Sequence, residues 1–211
     1  RGWVSGAKSR LIIGSGVNLE HFKYVDRTGR GGPPVVIMIS RLLRQKGILE
    51  FLTVAKSVKK AIPDARFLLF GHEEINHPDK ISIQQLQKCK SIEFLGPLTD
   101  VRSSLALADL MLFPSYYREG VPRVVMEAAA MGLPTVALDV PGVRESVKDR
   151  KTGYLIKNHD INELTSAVLA LLIDVPRRLA MGASARHLAE TSFDIRDVHM
   201  KYWMVYKELG I

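Results

Sequence analysis

The sequence VVIMISRLLRQKGILEFLTVAKSVKKAIPDARFLLFG, residues 35–71, decides the fold. It opens with the apolar run Val35–Ile39 and closes on a second run, Ala65–Phe70, and both have the length and composition of buried strands. Between them, the spacing of apolar residues predicts a helix over Ile48–Ile62. The face that we expect this helix to bury carries Leu49, Leu52, Ala55 and Val58. A strand, a helix and a second strand in this order predict two parallel neighbours joined by a crossover helix.

The same alternation continues along the rest of the chain. Four more short apolar runs are predicted strands: Ile92–Leu95, Leu110–Phe113, Thr135–Leu138 and Tyr154–Ile156. The predicted helices around them are Ile81–Cys89, Val101–Ala108, Pro122–Met131, Asn162–Ile173, Pro176–Glu190 and Ile195–Leu209. Apolar strands that alternate with helices predict an α/β fold with a doubly wound, mostly parallel, Rossmann-like sheet. Ligands of such folds bind beyond the carboxyl ends of the strands.

Composition narrows the class of protein further. The 211 residues contain 46% hydrophobic and 25% charged residues, which is ordinary for a globular chain and excludes disordered and fibrous classes. The single cysteine, Cys89, excludes an internal disulfide, and the six histidines lack metal-ligand spacing, so no metal or other cofactor is expected. Because the chain begins with Arg1 and shows no signal-type segment, we expect it to be a piece of a longer protein.

Three units are expected along the chain. Residues 1–34 would form an initial strand and a loop rich in glycine and proline, residues 35–192 the Rossmann-like domain, and residues 193–211 a terminal helix. Residues 1–60 hold 12 Lys and Arg against 3 Asp and Glu, a net charge of +9, whereas the remainder is close to neutral. This excess indicates an anionic partner, which could be the phosphates of a small ligand, nucleic acid or a membrane face, or else a solvated basic face.

Two cations and a glycine fall where ligands of this fold bind. Arg41 follows the first predicted strand, and Lys46 precedes the helix after it, so both belong at the carboxyl edge of the sheet. A guanidinium fork and a compact ammonium suit a diphosphate, although a basic loop facing water is the alternative. Gly71 ends the second strand, where a glycine permits close approach of a ligand but also makes a tight turn.

The segment YREGVPRVVMEA, residues 117–128, is the most informative for function. Pro122 suits the first turn of a helix, and the residues after it are apolar all round apart from a stripe made by Arg123 and Glu127. Because a buried carboxylate needs a partner, Glu127 either pairs with Arg123 or accepts hydrogen bonds from a ligand hydroxyl. Glu119 lies in the loop before this helix, at the same edge of the sheet.

These residues together resemble the retaining glycosyltransferases of family four, in particular the carboxyl-terminal donor-binding domain of their two-domain GT-B architecture. The motifs that carry the resemblance occur in the family's order, and they are Ile12–Asn18, Ser40–Leu42 with Lys46-Gly47, Pro63–Gly71, Ile92–Gly96, Ala108–Ser115, Glu119 with Glu127, Gly132–Val136, Asp139–Glu145 and Thr152–Leu155. They extend over nearly the whole chain.

The resemblance implies a role for each site residue. Arg41 and Lys46 would grip the donor diphosphate, Glu119 would contact the donor sugar, and these three would form the catalytic group. Glu127 would hold the ribose hydroxyls. The implied substrate-binding positions are Arg41, Lys46, Gly71, Gly96, Pro97, Leu98, Glu119, Gly120, Val121 and Glu127, with 96–98 near the base and the amides of 120 and 121 near the sugar.

The resemblance also implies an activity and its partners. The full-length enzyme would transfer a hexosyl group, with retention and without a metal, from a UDP-sugar to a sugar or lipid-linked acceptor. The acceptor would bind a separate amino-terminal domain, so the fragment alone would be inactive. Synthesis of bacterial surface polysaccharide or lipid-linked oligosaccharide, in the cytoplasm and with peripheral contact at the inner membrane face, is implied. A UDP-sugar epimerase of the same architecture and a basic nucleic-acid-binding module are the alternatives, although nucleic acid is not expected as a partner.

Overall fold

A computed structural model of the chain describes residues 10–118 and 120–210. Six strands form one sheet, in which every pairing is parallel and the spatial order is β3-β2-β1-β4-β5-β6. The strands are β1 (Val35–Ile39), β2 (Arg66–Phe70), β3 (Glu93–Phe94), β4 (Leu110–Phe113), β5 (Thr135–Leu138) and β6 (Gly153–Ile156). The expected doubly wound, Rossmann-like fold is therefore confirmed, and all the described pairings are parallel.

Helices cover both faces of this sheet. They are α1 (Ile48–Ala61), α2 (Ile83–Gln87), α3 (Arg102–Leu107), α4 (Arg123–Ala130), α5 (Val143–Ser146), α6 (Ile161–Ile173), α7 (Val175–Ser192) and α8 (Ile195–Glu208). The sequence patterns did not predict α5, because four residues make only one turn and leave no periodicity to detect. Within the two described stretches, no helix combines the length and apolarity that crossing a bilayer requires.

The order of the strands creates a switch point between β1 and β4. From β1 the chain builds outward through β2 and β3, and it then returns to pair β4 on the other side of β1, with Val36 opposite Leu110. The loops that leave β1 and β4 therefore diverge at the carboxyl edge and leave a crevice between them. In open α/β sheets this crevice is where ligands bind.

The two faces of the sheet have separate apolar cores. Val36 and Met38 of β1 pack among residues of α1 and α6, whereas Val35 and Ile37 pack among residues of α3 and α4. On the first face, the rings of Phe51 and Phe67 meet edge to face with their centroids 5.6 Å apart. The alternation follows from the two-residue period of a strand, and it explains why β1 is apolar along its whole length.

The buried face of α1 differs from the expectation. Ala55 and Val58 are buried as predicted, but Leu49 is 36% exposed and Leu52 is only partly buried. The helix instead turns Ile48, Phe51 and Val54 toward the sheet. That face presents the larger aromatic surface to the core, because it places the ring of Phe51 against Phe67.

Within residues 10–34 the structure describes a coil, and the part of the expected initial strand that falls on residues 1–9 lies outside the described residues. The coil's backbone contacts the rest of the fold at Val17, which forms a parallel bridge with Asp194, and at Val25, whose amide donates to the Met131 carbonyl at 3.2 Å. Its main anchor is Arg27, whose buried guanidinium donates to the carbonyl oxygens of Val25, Leu105, Ala108, Met131 and Gly132. Burial lowers the pKa of Arg27 to about 10. Part of the positive charge in the amino-terminal third therefore holds the fold together.

Candidate functional site

Two adjoining cavities occupy the crevice at the switch point. One has a volume of about 170 Å³ and lies between the ends of β1 and β4. The other has a volume of about 220 Å³ and lies beside the end of β2. Ile39, Ser40 and Arg41 line both cavities, so the end of β1 is their common wall. The two cavities therefore lie side by side at the carboxyl edge of the sheet.

Lys46 reaches the first cavity from a tight turn. Residues Arg44–Lys46 form one 3-10 turn that ends at Gly47, which has the left-handed φ of +82°. A Cβ atom on Gly47 would lie 2.1 Å from the carbonyl oxygen of Pro114, so only glycine lets this turn touch the loop after β4. Lys46 is only 6% exposed, and its ammonium lies 4.7 Å from the centroid of the Tyr117 ring. The turn thus presents a nearly buried cation at the cavity wall.

Arg41 is less buried and has an acidic neighbour. Its Nη1 lies 3.5 Å from Oε1 of Glu74, and Nε2 of His72 lies 3.3 Å from the same oxygen. About 44% of the Arg41 side chain is exposed. Because the contact is long and open to solvent, the ion pair is weak, and an incoming anion can take over the guanidinium.

The amino-terminal end of α4 faces the same cavity. Pro122, Arg123 and Val124 line the cavity together with Lys46. The first turn of α4 has no acidic residue and no side-chain cap, so its positive dipole end is left uncompensated by the helix itself. None of the described residues that line this cavity is acidic. Positive charge therefore reaches this cavity from Arg41, Lys46, Arg123 and the helix end, although Glu74 lies beside Arg41 and Glu127 beside Arg123.

The second cavity contains the positions expected near a base. Pro97 and Leu98 line it together with Gly71 and His72. A Cβ atom on Gly71 would lie 1.9 Å from the carbonyl oxygen of Ser40, so this glycine is required by contact between strands, whatever ligand binds. Gly96 has a φ of +77° and its carbonyl accepts a hydrogen bond from the Gly71 amide at 2.9 Å. These contacts fix the wall that Pro97 and Leu98 form.

Glu127 lies one helical turn behind the first cavity. Its side chain is 13% exposed, and Oε1 lies 3.6 Å from Nη2 of Arg123, so the pair expected from the spacing is present. Burial raises the pKa of Glu127, and the charge of Arg123 opposes that shift. Glu127 is absent from the described lining of either cavity. It can reach a ligand only alongside Arg123.

Three further residues were predicted to lie at the site, namely Glu119, Gly120 and Val121. Gly120 and Val121 precede α4, where Val121 packs against an apolar cluster and Gly120 has open space around its Cα. Glu119 lies outside the residues that the structure describes, so its predicted contact with the donor sugar stays a prediction. Among the described residues, no group of three His, Cys, Asp or Glu side chains is arranged to hold a metal ion.

Sequence reasoning missed a cluster that supports the Lys46 turn. Oε1 of Glu50 lies 2.8 Å from Nε2 of His159, and the His159 ring packs on Tyr116 with centroids 4.8 Å apart. The amide of Tyr116 donates to the carbonyl of Gln45, inside the turn, at 3.1 Å. These residues come from three separate loops and helices, so no spacing in the sequence could have brought them together.

The comparisons with known proteins agree with this fold. Residues 23–188 match the family described as "Glycosyl transferases group 1". The match extends over well more than half of the chain, and the chain belongs to this family. The expected resemblance is therefore confirmed at the level of the family.

Individual relatives include two curated enzymes. The chain is 31% identical over 172 residues to the GDP-mannose-dependent alpha-(1-6)-phosphatidylinositol monomannoside mannosyltransferase of Mycolicibacterium smegmatis, a match that covers 78% of this chain and 45% of the relative. It is 28% identical over 196 residues to the UDP-Gal:alpha-D-GlcNAc-diphosphoundecaprenol alpha-1,3-galactosyltransferase of Escherichia coli, covering 87% and 50%. The chain thus spans about half the length of the curated relatives it matches.

A solved structure gives the same picture. The sucrose-phosphate synthase of Thermosynechococcus elongatus superposes with a TM-score of 0.80 and 27% identity, over 99% of this chain and 54% of that one. The fold is therefore found as one half of a larger enzyme.

Proposed function

We propose that this chain binds a nucleoside diphosphate sugar, with the diphosphate in the cavity between the ends of β1 and β4. The proposal rests on one observation. A single cavity is bordered by Arg41, Lys46, Arg123 and the amino end of α4, and none of its described lining residues is acidic. Two negatively charged phosphates are the ligand groups that such a site favours most, because guanidinium, ammonium and helix amides all donate to them.

The rest of the ligand is assigned from the neighbouring surfaces. The base occupies the second cavity, where Pro97 and Leu98 provide an apolar wall. Glu127 accepts from the ribose hydroxyls, which requires it to remain ionised despite its raised pKa. Glu119 contacts the transferred sugar, as the family resemblance implies, near the amides of Gly120 and Val121.

We assign UDP as the carrier nucleotide, in keeping with the resemblance to enzymes of surface polysaccharide synthesis. The two relatives described above carry different carriers in their names, GDP-mannose in one and UDP-Gal in the other. The base is therefore the property that the first experiment must determine.

In the longer protein, the site would serve transfer of a hexosyl group with retained configuration. Arg41, Lys46 and the α4 end would stabilise the charge that develops on the departing diphosphate. The acceptor, a sugar or lipid-linked glycan, would bind a second half that corresponds to the part of the relatives that this chain does not span. The 211 residues alone would then bind donor without transferring it, and membrane contact would belong to the full-length protein.

Thermal unfolding in the presence of UDP, GDP, ADP and their hexose derivatives tests the proposal. A nucleotide at about 100 times its dissociation constant adds roughly 2.7 kcal/mol, which raises Tm by about 5–10 °C at this chain length. The shift should depend on the base, and Arg41→Ala should diminish it while Lys88→Ala, a change of an exposed loop cation, should not. Equal shifts for all three bases, or for both variants, would contradict a built nucleotide site.

A further inference from the structure

A cavity larger than either of those at the switch point lies elsewhere in the fold. It is an open groove of about 740 Å³ between the loop 148–152, which precedes β6, and the outer face of α7 from Arg177 to Thr191. Because that loop leads into the amino end of β6, the groove lies at the edge of the sheet opposite the nucleotide site. Nothing in the proposed function uses it.

The rim of this groove is cationic on both sides. Lys148, Arg150 and Lys151 stand on the loop, Arg177 faces them from the first turn of α7, and none of the described lining residues is acidic. The Arg150 side chain is 79% exposed, and its Nε lies 3.8 Å from Oδ2 of Asp149, which is itself about half exposed. An open rim of like charge attracts a partner that carries negative charge.

The cationic loop is held rigidly. Its backbone closes on itself, since the Thr152 amide donates to the Lys148 carbonyl at 2.9 Å and the Arg150 amide donates to the Gly153 carbonyl at 2.7 Å. The Thr152 hydroxyl accepts from the Lys148 amide at 2.8 Å. On the other wall, the guanidinium of Arg177 lies 5.3 Å from the centroid of the Tyr154 ring. The backbone that carries these cations is thus ordered before any partner arrives, which reduces the entropy that binding costs.

The floor of the groove has the shape of a helix-packing surface. Ala180, Ala183 and Ser184 are exposed on α7, three and four residues apart, and Leu188 continues the row one turn later. Small side chains at this spacing let a second helix come close. From Arg177 to Thr191 the helix rises about 21 Å, which a partner helix of about 14 residues would match.

We propose that this groove binds an amphipathic helix of another polypeptide, with its apolar row against α7 and acidic residues facing the rim. A bilayer fits less well, because membrane-docking surfaces project large apolar side chains, whereas this floor is recessed and small. Single-stranded nucleic acid fits less well too, because none of the described residues that line the groove is a Phe, Tyr or Trp on which bases could stack. Binding here would leave the nucleotide site open.

A labelled peptide tests the proposal by fluorescence anisotropy at about 0.15 M salt. The probe is a designed helix of about 18 residues with an Ala/Leu row and flanking Glu residues, one turn longer than the groove. Its two comparison peptides carry Lys in place of Glu, or the same composition in scrambled order. We expect saturable binding of the Glu helix alone.

Three variants assign that binding to the groove. Lys151→Glu combined with Arg177→Glu reverses both walls, and we expect affinity to fall at least about tenfold because like charges then face each other. Ala183→Phe fills the exposed floor without changing charge and should have a similar effect. Lys88→Glu combined with Lys90→Glu makes the same change in net charge on an exposed loop elsewhere and should leave affinity unchanged.

Each other result overturns the proposal. Equal binding of the scrambled peptide, or equal loss in the Lys88 and Lys90 control, would show attraction by net charge alone. Cosedimentation with vesicles of equal phosphatidylglycerol and phosphatidylcholine, lost in the groove variants while the peptide fails to bind, would assign the groove to a lipid surface. If the charge reversal unfolds the chain, Ala183→Phe alone tests the groove, because the Ala183 side chain is exposed and its replacement should not disturb the fold.

Discussion

The two basic regions of this molecule are built in opposite ways. The cavity at the switch point is small, about 170 Å³, and holds the nearly buried Lys46 against the end of a helix. The groove along α7 is larger, about 740 Å³, and its cations stand exposed on a rim. The first cavity brings Arg41, Lys46 and the amino end of α4 around a small volume, which suits a compact anion such as a diphosphate. The exposed cations around the longer floor of the groove suit a larger surface. The proposed nucleotide site is therefore not the larger of the two cavities.

The same comparison shows that the net charge of a segment of sequence is a poor guide to where cations line a cavity. The excess of positive charge lies in residues 1–60, but one of those cations, Arg27, is buried among backbone carbonyls and holds the fold. Arg123 at the proposed nucleotide site and the cations on the rim of the groove come from the part of the sequence that is nearly neutral. Local placement of charge decides each site.

The largest effect should come from the glycine that lets the Lys46 turn touch the loop after β4. Gly47→Ala would place Cβ against the Pro114 carbonyl at a φ of +82°, and we expect about 3–5 kcal/mol of lost stability. Gly29→Ala is the matched control, since Gly29 has a φ of +70° but open space around it, so only about 1 kcal/mol should be lost. Urea unfolding of both variants measures the difference. Equal losses would show that the contact with Pro114 is unimportant.

The next effect separates the two basic regions directly. Lys46→Met keeps the aliphatic stem but removes the nearly buried charge, and nucleoside diphosphate should bind about 30- to 100-fold more weakly, or roughly 2–3 kcal/mol. Lys148→Met, on the rim of the groove, should leave that affinity unchanged. Titration calorimetry measures both. A similar loss in the two variants would mean that general attraction, and not the cavity, holds the nucleotide.

Glu127 should give the site a pH dependence with a defined sign. Burial raises its folded-state pKa above the ordinary 4.5, so the unfolded chain ionises first as pH rises, and stability falls between 4.5 and the raised value. Ribose hydroxyls donate to the ionised form, so nucleotide affinity should instead rise over the same interval. Glu127→Gln should remove both trends and weaken nucleotide binding about five- to tenfold. Calorimetry across this pH range would contradict the ribose assignment if the affinity profile of Glu127→Gln matched the wild type.

The smallest effect concerns Glu74, whose Oε1 contacts both Arg41 and His72. Glu74→Gln should free the Arg41 guanidinium for the ligand and strengthen nucleotide binding, by no more than about fivefold because the pair is partly exposed. Glu163→Gln, an acidic residue exposed in the first turn of α6, is a suitable control. Weaker binding in Glu74→Gln would show that the carboxylate positions Arg41 instead of competing for it.

The sequence allowed most of the fold to be predicted, because the buried strands are short apolar runs that alternate with helices. β1, β4 and β5 were predicted with the bounds that the structure shows. The placement of Arg41 and Lys46 at the carboxyl edge of the sheet also follows from that alternation, whereas the order of the strands was not predicted. The expected buried face of α1 was wrong, since the packing of Phe51 is decided by tertiary contacts. The anchoring of residues 10–34 by Arg27 is decided in the same way, and no local pattern indicates it.

The supporting parts of the site could not be predicted. Arg41 and Glu74 are 33 residues apart in the sequence, and Glu50 and His159 are 109 residues apart, so no local pattern predicts either contact. The groove is likewise formed by a loop and a helix whose polar sequences each indicate a solvent-exposed surface, so neither one alone predicts a groove. The family resemblance assigned ligand roles to single residues, but it said nothing about which charges compete within the site.

One measurement tests the central claim most directly. Titration calorimetry should compare a nucleoside, its monophosphate and its diphosphate, with the base that the unfolding experiment selects, on the wild type and on Lys46→Met. If the cavity at the switch point holds the diphosphate, the loss caused by Lys46→Met will be near zero for the nucleoside and largest for the diphosphate, about 30-fold or more. An equal loss for all three ligands, or no binding of the diphosphate to the wild type, would contradict the assignment.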